Sequence, residues 1–261
     1  MDDTDIDFHC TMCGKCCHNL RLPLTVGEAI AWLERGDDVD VLCEALPWPV
    51  EPDASNAEAI YRRQRSSPTT SGSLPTRIQI VLAASFAGPC PNLGEGNVCG
   101  IYDDRPLVCR IYPAEMNPFV RLAPEHKACP PDAWQGAPLT RGGRIVDAAM
   151  VELIERSQLA SRQEIETKMK VCVALGLHEA ALANEGFVIH APERSVLLDA
   201  LKHSTQSTGA MSSANGDWTY VSNRMKTVNA LKSVGATSVF ADTFDTEAHQ
   251  YLGFFEAAAE A

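Results

Sequence analysis

The sequence predicts an α+β chain: an irregular, metal-stapled N-terminal half with short strands, then a mainly helical C-terminal half. Three observations lead there. Eight of the ten cysteines lie in two blocks, at spacings that suit ligands better than core packing. Eight prolines from Pro89 to Pro131 forbid long helices around the second block. Beyond Gly143 the character of the chain changes, and helix-like segments replace the proline-rich loops. The expected domains are a cysteine-cluster metal-binding domain over residues 1–138 and a mainly helical extension over 143–261, with a flexible linker near 205–217.

Along the chain, Leu20-Arg-Leu-Pro-Leu24 reads as a short extended piece. Thr25-Val-Gly-Glu28 is a capping box. It predicts a helix through Ala29, Ile30, Trp32 and Leu33 that stops near Gly36. Residues 37–52 are acidic and proline-bounded, which suggests loop, and 54–65 suggest a short helix. The Ser/Thr/Gly/Pro run over 66–75 is expected to be mobile. Ile78, Ile80 and Leu82 alternate on one face and predict a strand. Gly94-Glu-Gly-Asn97 is a turn inside the second cysteine block.

Helices are expected over 146–156, from a second capping box, Ser161-Arg-Gln-Glu164, to about Leu175, and over 193–203. Phe187-Val-Ile-His190 suggests a strand. Val239, Phe240, Phe244, Tyr251, Phe254 and Phe255 bring an apolar pattern back at the end. No internal repeat is present.

Composition excludes several classes. With 261 residues and 45% hydrophobic content the chain can bury an ordinary core, so its cysteines are not needed to hold a tiny fold together. No apolar run is long enough for a membrane span. The acidic start, Met1 to Asp7, lacks the basic and apolar pattern of a secretory signal. A cytoplasmic location follows as the expectation, with thiols reduced or metal-bound rather than paired in disulfides. The net charge of −12, with no basic stripe, argues against a nucleic-acid partner.

The first block is Phe8-His-Cys10-Thr-Met-Cys13-Gly-Lys-Cys16-Cys17; the second supplies Cys90, Cys99, Cys109 and Cys129. Cys10, Cys13 and Cys16 recur every third residue and can face one centre. Cys17 does not join them easily, because neighbouring side chains diverge by about 180° in extended chain and about 100° in a helix. The adjacency argues for a polynuclear centre or for two centres side by side. One option is an iron–sulfur cluster, since ferredoxin-type runs combine C-x-x-C-x-x-C with a remote Cys-Pro. Both Cys90-Pro91 and Cys129-Pro130 have that form. Another is one or two zinc ions, eight thiolates being enough for two four-cysteine sites. Iron bound without sulfide is a third. The three-residue spacing and the adjacent pair favour a 4Fe–4S cluster. Cys43 and Cys172, outside the blocks on apolar stretches, read as buried small hydrophobes. His9, His18 and His126 read as supporting or surface groups.

Phe8-x-Cys10-x-x-Cys13-Gly14-x-Cys16-Cys17 resembles the signature of the YkgJ-type cysteine-cluster family, described as zinc- or iron-chelating. Cys90-Pro91-x-Leu93, Cys99-Gly-Ile-Tyr102-x-x-Arg105-Pro106-x-x-Cys109-Arg110-x-Tyr112-Pro113 and Cys129-Pro130 continue the likeness. The resemblance implies metal binding and names no reaction. A more distant similarity, to the flagellin lysine N-methylases, implies an iron–sulfur-dependent protein-lysine methyltransferase. No P-loop, Rossmann glycine pattern or nucleophile elbow accompanies it.

Arg105, Arg110, Tyr102 and Tyr112 flank the second-block ligands. They are candidates for holding the charge of the thiolate centre or for binding a cofactor or substrate. The plainer alternatives are arginines bonding loop carbonyls or Asp103 and Asp104, and tyrosines packing as lids. Three functions therefore stand side by side: a metal-binding protein, an iron–sulfur methyltransferase acting on a protein, and an interaction module shaped by metal and docking a protein partner.

Overall fold

The computed structural model describes residues 5–206, 217–243 and 249–258. Among them the chain forms twelve strands and seven α-helices. The first elements are β1 (Ile6–Phe8), β2 (His18–Leu24), α1 (Val26–Glu34), β3 (Val39–Pro47), α2 (Ala57–Arg63), β4 (Ser67–Ser71) and β5 (Leu74–Pro89). The middle of the chain adds α3 (Leu107–Ile111), β6 (Ala137–Arg141), β7 (Arg144–Ile145), α4 (Ala148–Gln163) and α5 (Ile165–Leu175). The last are β8 (Glu179–Leu182), β9 (Gly186–His190), α6 (Arg194–Gln206), β10 (Thr219–Ser222), α7 (Met225–Ser233), β11 (Ser238–Phe240) and β12 (His249–Gly253). Helices and strands are mixed throughout. Residues 207–216, the middle of the expected linker, and Phe244 lie outside the described residues.

Two compact units partition the chain. Unit 1 is Met1–Thr25 with Ala84–Ser161, and unit 2 is Val26–Ala83 with Arg162–Ala261. Strand β5 starts in unit 2, and its residues from Ala84 belong to unit 1.

In unit 2, β3, β8, β10 and β11 are parallel neighbours in that order, registered by Glu44↔Ala181, Tyr220↔Ala180 and Val221↔Val239. Antiparallel β9 joins β3 to β12, with Val41 and His249 both opposite His190. The segment over 37–52, expected as loop, contains β3. Val39, Val41, Cys43 and Ala45 alternate and are 2% exposed or less, while Asp40 and Glu44 take the opposite face. The acidic residues that suggested a loop thus share the other face of a strand with buried Leu42 and Leu46. The run expected to be mobile forms β4, hairpinned onto β5 from Ser67↔Ile78 to Ser71↔Leu74. Its turn-forming residues also serve distant backbone: the Ser71 hydroxyl donates to the Thr237 carbonyl at 3.1 Å.

The C-terminal half carries strands beside its helices α4 to α7: β8 to β12 alternate with α6 and α7. These strands are three to five residues long, and β8 and β10 carry largely buried side chains. Buried parallel strands lack the in–out alternation that betrays a strand in sequence. The second capping box does not form. Ser161 lies inside α4, its hydroxyl donating to the Ser157 carbonyl at 2.9 Å, and α5 starts after Glu164 with no side-chain cap. No described helix is long and apolar enough to cross a membrane.

His190 is 1% exposed, and its ring Nε2 lies 3.0 Å from the Glu179 carbonyl. Burial holds its pKa below the ordinary 6.5; His249 and His178 push the same way, while Glu179 opposes. Below the ordinary value the unfolded chain takes up a proton that the folded chain refuses, so stability falls as pH drops through that window. Hydrogen exchange of β9 and β12 amides, corrected for intrinsic rates, is expected to quicken between pH 7.5 and 5.5. His190→Gln should flatten that dependence; an unchanged slope would assign it elsewhere.

Unit 1 holds a three-stranded antiparallel sheet ordered β1-β6-β7. Its buried cluster is small: Ile111, Ala114, Leu139 and Met150, with Phe8, Leu107 and Leu153 among the partly covered residues against it. On either side of α3 the chain has nothing longer than short 3-10 turns, in keeping with the prolines, which forbid long helices.

Candidate metal centre

The first cysteine block leaves β1 and enters β2. A turn carries it, with the Cys17 amide donating to the Gly14 carbonyl at 2.9 Å and a His18 ring nitrogen 3.1 Å from the same oxygen. Gly14 takes the left-handed φ of +70°, and a Cβ on it would meet the Asn97 side chain at 2.8 Å. A residue with a side chain there would push the first block off the loop of the second. His9 and His126 are exposed.

The second block is tied in by main chain. The Cys90 amide donates to the Cys17 carbonyl at 2.7 Å. A tight antiparallel turn follows, with Leu93 bridged to Cys99, Gly94 donating to Val98 at 2.8 Å and Gly100 to Asn92 at 2.7 Å. Cys90 and Cys99 therefore stand on one hairpin-like loop beside Cys17. Pro106 precedes α3, which carries Cys109. Cys129 comes from the segment that returns to β1: His9 donates to Ala133 at 2.9 Å, and the Phe8 and Trp134 rings lie 5.3 Å apart.

All eight thiols are free. Cys10 is exposed and the other seven are half-buried, whereas Cys43 and Cys172 in unit 2 are 0% exposed and hydrogen-bonded to each other. The Cys16 and Cys17 sulfurs are 4.0 Å apart. Among the described residues, no three histidine, cysteine, aspartate or glutamate side chains are closed to metal-ligand spacing.

The thiols also act on one another's charge. Cys16 is held well above an ordinary thiol by its hydrogen bond with Cys17, with burial second; the same bond lowers Cys17. Burial pushes Cys109 up to about 12, and Cys90, Cys16 and Cys99 push the same way. Burial also raises Cys129. A Tyr112 hydrogen bond opposes this, while Cys16, Cys13 and Cys10 add to it. Crowded thiols that repel as thiolates fit a cation, whose charge offsets the repulsion and whose binding releases their protons.

Of the four flanking candidates, two reach the thiols. Arg105 lowers both Cys16 and Cys109; its guanidinium lies 3.8 Å from the Tyr102 ring centre and donates to the Tyr102 carbonyl at 3.0 Å. Tyr102 thus acts as a platform under Arg105. Tyr112 receives the Ala128 amide at 2.8 Å and hydrogen-bonds Cys129; burial pushes its phenol up to about 12, so it stays a donor to sulfur. Arg110 is half-buried in the last turn of α3. The Tyr112–Cys129 pairing and the Gly14–Asn97 contact were not read from sequence. The glycine inside the Cys13-Gly-Lys-Cys16 run was the available signal for the second.

The CxxCxxCC family, described as "Putative zinc- or iron-chelating domain", matches residues 9–130. Residues 9–130 belong to that family. This is the cysteine-cluster family that the two motifs resemble. The chelating domain carries every one of the eight block cysteines, and zinc or iron is its metal class. No curated protein and no solved structure matches the chain. A cavity of about 310 Å³ in unit 2, lined by Leu46, Pro47, Trp48, Asn56, Arg62 and Asn184, has no cysteine in its wall.

Proposed function

We propose that the chelating domain holds iron, as a 4Fe–4S centre ligated by block cysteines, in a reducing cytoplasmic setting. The observation that carries this is the 2.7 Å bond from the Cys90 amide to the Cys17 carbonyl, which ties the two cysteine blocks into one site. Iron–sulfur chemistry is favoured over zinc by the three-residue recurrence, the adjacent pair and the remote Cys129-Pro130. Arg105 and Tyr112 would tune the centre by charge and by a hydrogen bond to sulfur, both of which shift cluster potentials. Contacts at the thiols support metal holding, while the methyltransferase and interaction-module readings have no comparable contact behind them.

The test is metal and acid-labile sulfide analysis of protein purified without oxygen. Brown protein with broad visible absorption and matching iron and sulfide is the expected result. Colourless protein with stoichiometric zinc would replace the cluster by zinc.

A further inference from the structure

We infer that the cavity in unit 2 binds a small zwitterion of the amino-acid type: Arg62 takes its carboxylate, Glu58 its ammonium, and Leu46, Pro47 and Trp48 its apolar side chain. The site makes no use of the cysteine blocks and does not depend on the metal they hold.

The cavity lies at the carboxyl ends of two strands. Leu46 and Pro47 end β3, and Ala183 and Asn184 follow β8. The strands are parallel, and the Ala183 amide donates to the Ala45 carbonyl at 2.9 Å, which holds the two ends side by side. Open α/β sheets take their ligands at this end, in the crevice beyond the strands. Helix α2 supplies the other wall with Glu58, Ala59 and Arg62. A volume of about 310 Å³ is at the small end of the roughly 300–1,000 Å³ of ligand pockets, which suits a small molecule and not a dinucleotide.

The chemistry of the wall sets the ligand class. Its charged side chains are one cation and one anion, Arg62 and Glu58. The Arg62 Nη2 donates to the Glu58 Oε1 at 2.9 Å and to the Asn184 Oδ1 at 3.2 Å, which fixes the guanidinium. Among the described residues Nε and Nη1 bond nothing, so they remain as donors to a carboxylate. The Glu58 Oε2 likewise remains as an acceptor for an ammonium. Asn184 is itself held, at φ +70°, with its main-chain amide on the Glu44 carboxyl. A ligand of one sign would meet a like charge in this wall, whereas a zwitterion answers both signs. The apolar side is set as firmly. The Trp48 amide donates to the Pro75 carbonyl at 2.8 Å, its indole N–H donates to Glu51 at 2.8 Å, and the Arg77 guanidinium lies 5.5 Å from its ring centre. A wall fixed before binding lowers the ordering cost of taking a ligand.

Isothermal titration calorimetry on the full chain tests this with L-leucine and analogues that each lack one group. The analogues are 4-methylpentanoate without the ammonium, L-leucinamide without the carboxylate, and glycine without the side chain. Leucine is expected to bind, and each analogue to bind at least about tenfold more weakly, because a wall group loses its partner or the apolar wall stays wet. In Glu58→Gln, leucine should fall to the affinity of 4-methylpentanoate, whose own binding should hold. In Arg62→Gln, it should fall to that of leucinamide. No leucine binding at about 10 mM, equal binding of leucine and 4-methylpentanoate, or leucine binding unchanged in Arg62→Gln would each overturn the inference. Should a variant fail to fold, the wild-type series decides.

Discussion

Stripping the metal from the full chain is expected to unfold the cysteine loops of unit 1 and leave unit 2 folded. Unit 1 has little else to hold those loops. Its buried apolar cluster centres on four residues, Ile111, Ala114, Leu139 and Met150, and none of the block cysteines belongs to it. Thiolate sites in small metal-dependent domains contribute roughly 10–16 kcal/mol of apparent binding energy, comparable to or larger than the roughly 5–15 kcal/mol that keeps an ordinary domain folded. Removing the metal also leaves the thiols around Cys109 and Cys129 crowded and repelling whenever they ionise. Hydrogen exchange with and without a chelator is the measurement. Amides over 10–17, 90–112 and 126–136 should exchange at least about a hundredfold faster in the stripped protein, a loss of about 2.7 kcal/mol of protection. Amides of β3, β8 and β10 should not change. Equal protection of the cysteine loops in both states would mean that the metal is a passenger and that main-chain bonds alone hold them.

What could be read from the sequence, and what could not, follows from the range of the interactions. The cysteine chemistry was legible because ligand spacing is local: three cysteines at three-residue intervals and an adjacent pair are visible without a fold. Helix α1 was legible from the Thr25–Glu28 pattern and the apolar residues that follow it, all within one element, whereas α5 was placed from a capping box that does not form. Strand β3 was hidden by Asp40 and Glu44, which read as loop until Val39, Val41, Cys43 and Ala45 are seen to fill the other face. Strands β8, β10 and β11 were hidden because a strand of three or four residues is too short to show a period. Their pairing, such as Tyr220 with Ala180 and Ser238, is fixed by partners far away in sequence.

The same limit applies inside the site. Sequence offered two remote Cys-Pro pairs on equal terms. The His9–Ala133 and Cys17–Cys90 bonds bring each pair beside the first block, and both are long-range main-chain contacts. Arg105 and Arg110 also looked alike in sequence. The stacking of Arg105 on Tyr102 places its charge near Cys16 and Cys109.

Gly136→Ala is expected to loosen the start of the first cysteine block with no change to any cysteine. Gly136 ends the turn after Cys129, and a Cβ on it would overlap the carbonyl of Phe8 and stand 2.6 Å from the His9 nitrogen. Both obstacles are backbone, so neither can rotate away, and the β1 segment must move. That segment is registered on β6 by Phe8↔Ala137 and carries the His9 amide that bonds Ala133. Overpacking against fixed atoms costs about 1–3 kcal/mol, occasionally more. Because Cys10 follows His9, the displacement should also lower metal retention. Gly27→Ala is the control: it lies in α1 with nothing within 4 Å of the added carbon, and alanine favours a helix, so stability should hold or rise slightly. Melting curves and metal content of the two variants decide the matter. A Gly136→Ala protein that melts and retains metal like the wild type would show that the β1 contact does not position Cys10.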